Sequence, residues 1–251
     1  MSLTMTLGWR VRDALGPDGR RRARRVADAT LRPIGSVRSF ARADGRFALT
    51  FDDGPDPVWT PPLLELLAQR SASATFFLLT DRARRHPGLV GRIRDGGHEV
   101  ALHGDEHSRM TMAPARQVCR RLRIAKSELE QTAQVRVRLF RPPFGAQSLG
   151  SYAAARRAGL DVVVWGPFAR DWVDGTPQEV ADRALGSVRG GDILLLHDGL
   201  EIPDGQPRPT FDRTEMVRLL LEGLASDGLL PDTVGCLIRQ AGTMRSAWFR
   251  P

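Results

Sequence analysis

From Arg46 onward the chain alternates short apolar runs with longer segments of helical spacing, and this alternation restricts the fold more than any other feature. The apolar runs at 46–51, 74–79, 99–103, 138–141, 161–165, 192–197 and 233–238 read as buried strands. The intervening segments 61–70, 87–95, 115–129, 150–158, 177–188 and 214–225 read as helices, with apolar residues such as Val118, Leu122, Ala125 and Leu129 falling on one helical face. Pro61, Pro87 and Pro177 suit first helical turns, and the glycine pairs 96–97 and 190–191 stop the chain before the next strand. About seven strand-then-helix units imply a parallel α/β architecture, and both a (β/α) barrel and an open doubly wound sheet satisfy that count. Polar residues fall just after strand ends: Asp52 and Asp53, His103, Arg141 and His197. Both architectures place their working face there, and several strands contributing to one site favours the barrel.

Composition narrows the class. The 251 residues are 41% hydrophobic and 26% charged, which fits one globular domain and excludes a disordered or collagen-like chain. No apolar run approaches the roughly 20 residues of a spanning helix. Cys119 and Cys236 form neither a metal-ligand spacing nor a disulfide framework and are expected to be buried, reduced thiols. The formal charge is +8, and residues 1–45 hold ten arginines against four aspartates. This basic segment, expected to be helical and separate from the domain at 46–251, interleaves arginine with apolar residues. That pattern suits a solvated helix face or peripheral contact with an anionic membrane. The pI near 11.0 is accompanied by no nucleic-acid motif, so no nucleic acid is expected as a partner. The first sixteen residues lack the apolar core of a secretory signal, which leads to the expectation of a cytoplasmic protein, possible membrane association included.

Three constellations carry chemistry. Asp52 and Asp53 are adjacent carboxylates at a strand end; they repel unless a cation holds one and an arginine the other. His103 and His107 are four apart, a spacing that brings both rings to one side of a helical turn, and together with a carboxylate from another strand they make a two-histidine, one-carboxylate metal site. Such a set suits hydrolytic zinc and equally the facial triad of a non-haem iron oxygenase. His98 and His86 read as structural and as a surface or capping residue. The third group is Arg141 in a Pro-stiffened loop, then Trp165, Asp171 and Trp172, then His197 after an apolar strand.

Taken in order, TFDDGPD at 50–56, HGDEH at 103–107, RPPFG at 141–145, DW at 171–172 and ILLLH at 193–197 resemble the polysaccharide deacetylase family, also described as carbohydrate esterase family 4 or the NodB-homology domain. The resemblance spans about residues 46–238. It implies a single-domain distorted (β/α) barrel and a metal-dependent carbohydrate N-deacetylase, which cleaves the linear amide of an N-acetylated or similarly acylated amino sugar. It further implies that Asp53, His103 and His107 hold one divalent ion, zinc first and Co2+, Ni2+ or Fe2+ as other occupants. Asp52 becomes the general base, steadied by Arg141; the Phe144 backbone N–H becomes an oxyanion donor; His197, held protonated by Asp171, becomes the general acid. Ile193 and Leu195 are expected to line the acyl pocket, with Trp172 as its wall.

Three positions depart from the family pattern. Gly104 stands where Ser or Thr is usual, Phe144 where Tyr is usual, and Phe168 where the fourth motif commonly has its first Asp. A non-catalytic carbohydrate-binding relative is the alternative within the same fold. For a cytoplasmic chain the expected substrate is an acylated amino sugar in a small metabolite or in a lipid- or nucleotide-linked intermediate. The Pro- and Gly-rich stretch 198–213 is expected to act as a lid.

Overall fold

The computed structural model describes residues 35–201 and 208–250. The basic segment at 1–34 and the lid positions 202–207 lie outside the described residues. A seven-stranded sheet runs in the order β6 (Asp161–Val162), β5 (Leu139–Phe140), β4 (Glu99–Gly104), β3 (Thr75–Leu79), β2 (Arg46–Asp52), β7 (Ile193–His197), with β8 (Leu230–Asp232) paired to the lower part of β2. Every pairing in this sheet is parallel. Helices Thr60–Gln69, Pro87–Asp95, Ala115–Ala133, Leu149–Arg157, Pro177–Leu185 and Arg213–Ser226 cross between the strands.

Period-two alternation divides each strand between two cores. Phe47, Leu49, Phe51, Phe76, Leu78, Leu102, Leu194 and Leu196 point outward into the larger cluster beneath the helices. Ala48, Phe77, Ala101, Leu139, Val163 and Ile193 point inward into a smaller cluster. The sheet curls without closing through β6 and β7, and two segments bridge the gap. At the lower end β1 (Ser36–Phe40) receives the Val164 N–H on Val37 O at 2.8 Å and donates Phe40 N–H to Gly191 O at 2.7 Å. Higher up, Gly166 N–H reaches Ile193 O at 3.0 Å and Leu195 N–H reaches Pro167 O at 3.1 Å. The result is a distorted barrel.

Two expectations are corrected. Residues 36–40, assigned from their charge to a helical leader, form β1, antiparallel to β9 (Thr243–Ser246); Val37 and Phe40 enter the inner core, an apolar burial that outweighs the basic context. Residues 233–238 are not a strand but part of helix Val234–Gln240. Thr233 caps it by accepting the Cys236 N–H at 3.1 Å, and the buried Val234, Leu237 and Ala241 follow helical spacing. A short apolar run of this kind fits either period. The helix plugs the lower barrel, donating Val234 N–H to Thr75 Oγ1 at 2.9 Å and Gly235 N–H to Glu99 Oε2 at 2.8 Å. Cys119 and Cys236 are free but half-buried, because each lies at the margin of a helix's packed face.

Candidate active site

Four of the strands end, at their uppermost inward positions, in polar residues. Asp52 ends β2, His103 lies at the top of β4, Arg141 follows β5 and His197 ends β7 in register with Asp52. The same alternation that puts Ala48 and Ile193 in the inner core aims these side chains at one place.

Strand alternation alone would send Asp53 to the opposite side from Asp52. The backbone of Asp53 instead turns left-handed, φ 71°, a conformation uncommon outside glycine, and its carboxylate joins the histidines. Asp53 Oδ1 lies 3.3 Å from His103 Nε2 and 3.5 Å from His107 Nε2. One ligand atom from each of the three residues falls within 4.8 Å of the other two. The two histidines are not on a helical turn: β4 runs to Gly104, and residues 105–107 are loop. Gly104 at φ 129° lets the chain leave the strand and fold back, bringing the ring centroids to 5.4 Å.

Hydrogen bonding fixes what this cluster can hold. His103 Nδ1 is 2.8 Å from Arg141 O, and a carbonyl only accepts, so Nδ1 carries the hydrogen. In the neutral ring Nε2 then presents a lone pair to a carboxylate oxygen. Asp53 Oδ1 is buried with no hydrogen-bond donor. Burial depresses the His107 imidazole to about 4, against the pull of Asp53, so this ring is neutral at pH 7. Burial favours protonated Asp53, but His103, His197 and His107 outweigh it and hold the group below the ordinary carboxylate range. A carboxylate facing two imidazoles in a buried pocket matches the donor set of a divalent ion. His107 Nδ1 has no hydrogen-bond partner, and the Phe144 ring packs against this imidazole at 4.1 Å.

Two charged relays flank the cluster. Arg141 is fully buried and donates from Nη1 to Asp52 Oδ1 at 2.6 Å and to Thr50 Oγ1 at 2.8 Å. Its guanidinium stacks over Phe77 at 4.1 Å, which offsets part of its desolvation. The other Asp52 oxygen faces the ligands, 3.9 Å from His103 Nε2. On the opposite side His197 Nδ1 meets Asp171 Oδ1 at 2.8 Å, and the His197 N–H donates to Asp171 Oδ2 at 2.8 Å. Burial opposes charge on the His197 ring, but the Asp171 carboxylate, with Asp53 and Asp52 behind it, raises it to about 9. Asp171 is itself held by Arg213, whose Nη1 donates to Oδ2 at 2.6 Å and whose Nη2 donates to Asp171 O at 3.0 Å. The Arg213 guanidinium lies over Trp59 at 4.3 Å.

Sequence reasoning did not find Arg213, which opens helix Arg213–Ser226; a charged residue at a helix start looks like a solvated one. Thr50 was likewise missed, although its inward register with Asp52 was available from alternation. Trp172 stands edge-on to His197 at 5.5 Å. Leu195 pairs with Thr50 and bridges to Phe168, one inward step below His197. Ile193 sits a further step down, fully buried with Val37 and Phe40 in the inner core and away from the mouth. It is therefore placed as core and not as acyl-pocket lining. His98 is structural: it is buried and accepts the Ala74 N–H at 3.3 Å. His86 occupies a helix N-cap position without a side-chain cap bond.

Comparison with known proteins gives a consistent picture. Residues 41–163 match the family model described as polysaccharide deacetylase. A chitooligosaccharide deacetylase of Sinorhizobium fredii is 39% identical over 152 residues, which cover 60% of this chain and 71% of that protein. A peptidoglycan-N-acetylglucosamine deacetylase of Bacillus cereus is 35% identical over 154 residues, 61% of this chain and 72% of the relative. Among solved structures, a family 4 carbohydrate esterase pseudoenzyme from Bacillus anthracis superposes with a TM-score of 0.72 at 20% identity, covering 82% of this chain and 69% of that one; this likeness speaks to the fold alone.

Proposed function

Because the chain belongs to the polysaccharide deacetylase family, we propose that it is a metal-dependent amidohydrolase that removes the acetyl group from an N-acetylated amino sugar. The observation that carries this reading is the Asp53–His103–His107 cluster set between a separate carboxylate–arginine pair and a separate carboxylate–imidazole pair. Asp53, His103 and His107 would hold the ion, and zinc is the one that this nitrogen–oxygen set suits best. A divalent ion bound there supplies acidification of water toward neutral pH and stabilisation of negative charge on the acyl oxygen.

The chain's own residues account for the remaining steps. Asp52, oriented by the Arg141 hydrogen bond, takes the proton of the attacking water as its oxygen bonds to the acyl carbon. The Phe144 N–H, in a left-handed residue at φ 58°, is assigned as a donor to the developing oxyanion. His197 bears its second proton on Nε2, since Nδ1 is committed to Asp171, and delivers it to nitrogen as the C–N bond breaks. Acetic acid, which ionises to acetate on release, and a free amine result, with Asp52 protonated and His197 neutral. Leu195 and Trp172 are assigned to the acyl pocket.

An oxygenase built on the same three ligands would leave the Asp52–Arg141 and Asp171–His197 pairs without a task. A non-catalytic relative would need neither of them intact. The test is acetate release from N-acetylated chitooligosaccharides and N-acetylglucosamine glycosides, with and without a chelator. Chelator-sensitive release is expected; a metal-loaded protein that releases no acetate from any of them overturns the reading.

A further inference from the structure

The mechanism leaves one buried carboxyl group without a task. Asp198 follows His197 and opens the Pro- and Gly-rich stretch after β7, yet it is fully buried. Its Oδ2 accepts the Thr60 hydroxyl at 2.7 Å, and Thr60 Oγ1 in turn accepts the Asp56 N–H at 2.8 Å. Thr60 is itself fully buried at the start of helix Thr60–Gln69. Asp198 Oδ1 has no hydrogen-bond partner, and both carboxyl oxygens lie so close to Gly54 that a methyl group there would overlap them. The main chain adds two contacts: the Asp198 N–H donates to Asp52 O at 3.2 Å, and a methyl on Gly199 would stand 2.8 Å from Asp53 O. Residues 198–199 therefore meet the 52–56 turn at Asp52, Asp53 and Gly54 and, through Thr60, at Asp56.

This turn is where the chain leaves strand geometry. Asp53 reaches His103 and His107 only because its backbone is left-handed, φ 71°. A residue other than glycine keeps that conformation only where its surroundings fix it. The extended alternative would turn the carboxylate to the other side of the strand. A buried carboxyl group with one oxygen unpaired is unfavourable for folding, so stability alone does not account for Asp198. We infer that Asp198 is a positioning residue: with Thr60 it clamps the residues on both sides of Asp53 and so holds that carboxylate toward the two imidazoles. The inference rests on the metal-dependent reading of the Asp53–His103–His107 cluster and extends it to a residue that touches none of the reacting atoms. Loss of the clamp should weaken ion binding while every ligand stays in the chain.

The experiment is calorimetric titration of zinc into the wild type, D198A, D198N, T60V and T60S, at a temperature where each is folded, with thermal melts of the metal-free proteins. D198A and T60V should each bind zinc about tenfold or more weakly, although both retain Asp53, His103 and His107. D198N keeps the shape of the side chain and an acceptor for Thr60, and T60S keeps the hydroxyl, so both should bind close to wild type. T60V carries the test should D198A not fold. A purely structural role would lower the melting temperatures of D198A and T60V and leave the zinc affinity of the folded proteins unchanged; that result overturns the assignment. D198N binding as weakly as D198A would make charge, not the clamp, responsible and would overturn it as well. A wild type that binds no zinc removes the metal-dependent reading itself, and the assignment with it.

Discussion

Replacing Asp171 by Asn tests the proton-donor half of the proposed mechanism. Asp171 is the principal influence that raises His197 against burial, to about 9. Without its charge, burial remains and pushes the imidazole to or below its ordinary 6.5. At pH 7.5 the fraction of His197 carrying the donated proton then falls from about 97% to about 9% or less. Acetate release at that pH should drop at least about tenfold, and more because the amide nitrogen of Asn would face the Arg213 and His197 donors. The alkaline limb of the pH–rate profile should move from about 9 to 6.5 or lower. The sign for stability follows the same linkage. A folded-state pKa above the ordinary one means that the Asp171–His197 pair stabilises the fold fully below about 6.5 and loses that contribution as pH rises through about 9. The assay is a pH series of acetate release for both proteins, with an NMR titration of the His197 ring in the wild type. An unshifted alkaline limb in D171N, or a wild-type His197 that titrates near 6.5, refutes the reasoning.

Other substitutions separate the remaining roles. D52N should keep its affinity for zinc while acetate release falls by about 10²–10⁴-fold, measured by calorimetry and by product formation on the same sample. R213M leaves Asp171 buried with one cation fewer and should cost about 3–5 kcal/mol in urea-induced unfolding, and R213K should recover part of that loss. Gly145→Ala adds a methyl 2.6 Å from the Trp165 ring at a residue with φ 62°, so a lower melting temperature is expected even though the catalytic groups are untouched.

The parts of the site legible in the sequence were those governed by periodicity. Asp52, His103, Arg141 and His197 each terminate or follow an apolar strand, and alternation gives their common face without coordinates. The Asp53 carboxylate joins them only through a left-handed backbone that no local pattern announces. Likewise the loop geometry of 105–107 depends on Gly104 adopting φ 129°, so an i, i+4 spacing read as helical brought the right two rings together for the wrong reason. Residues 233–238 were misread because five apolar or small residues fit a strand as well as a helix, and only the Thr233 cap decides between them. Ile193 shares its face with His197, but depth along the strand, not face, separates core from pocket. Arg213 was out of reach because its burial arises from Trp59 and Asp171, 154 and 42 residues away in the chain.

The hydrolytic reading requires Asp53, His103 and His107 to share one ion. Calorimetric titration of zinc into the wild-type protein and into D53A and H103A tests it most directly. One ion per wild-type chain is expected, with affinities weaker by on the order of 100-fold or more in both variants. Zinc bound by D53A as tightly as by the wild type would contradict it.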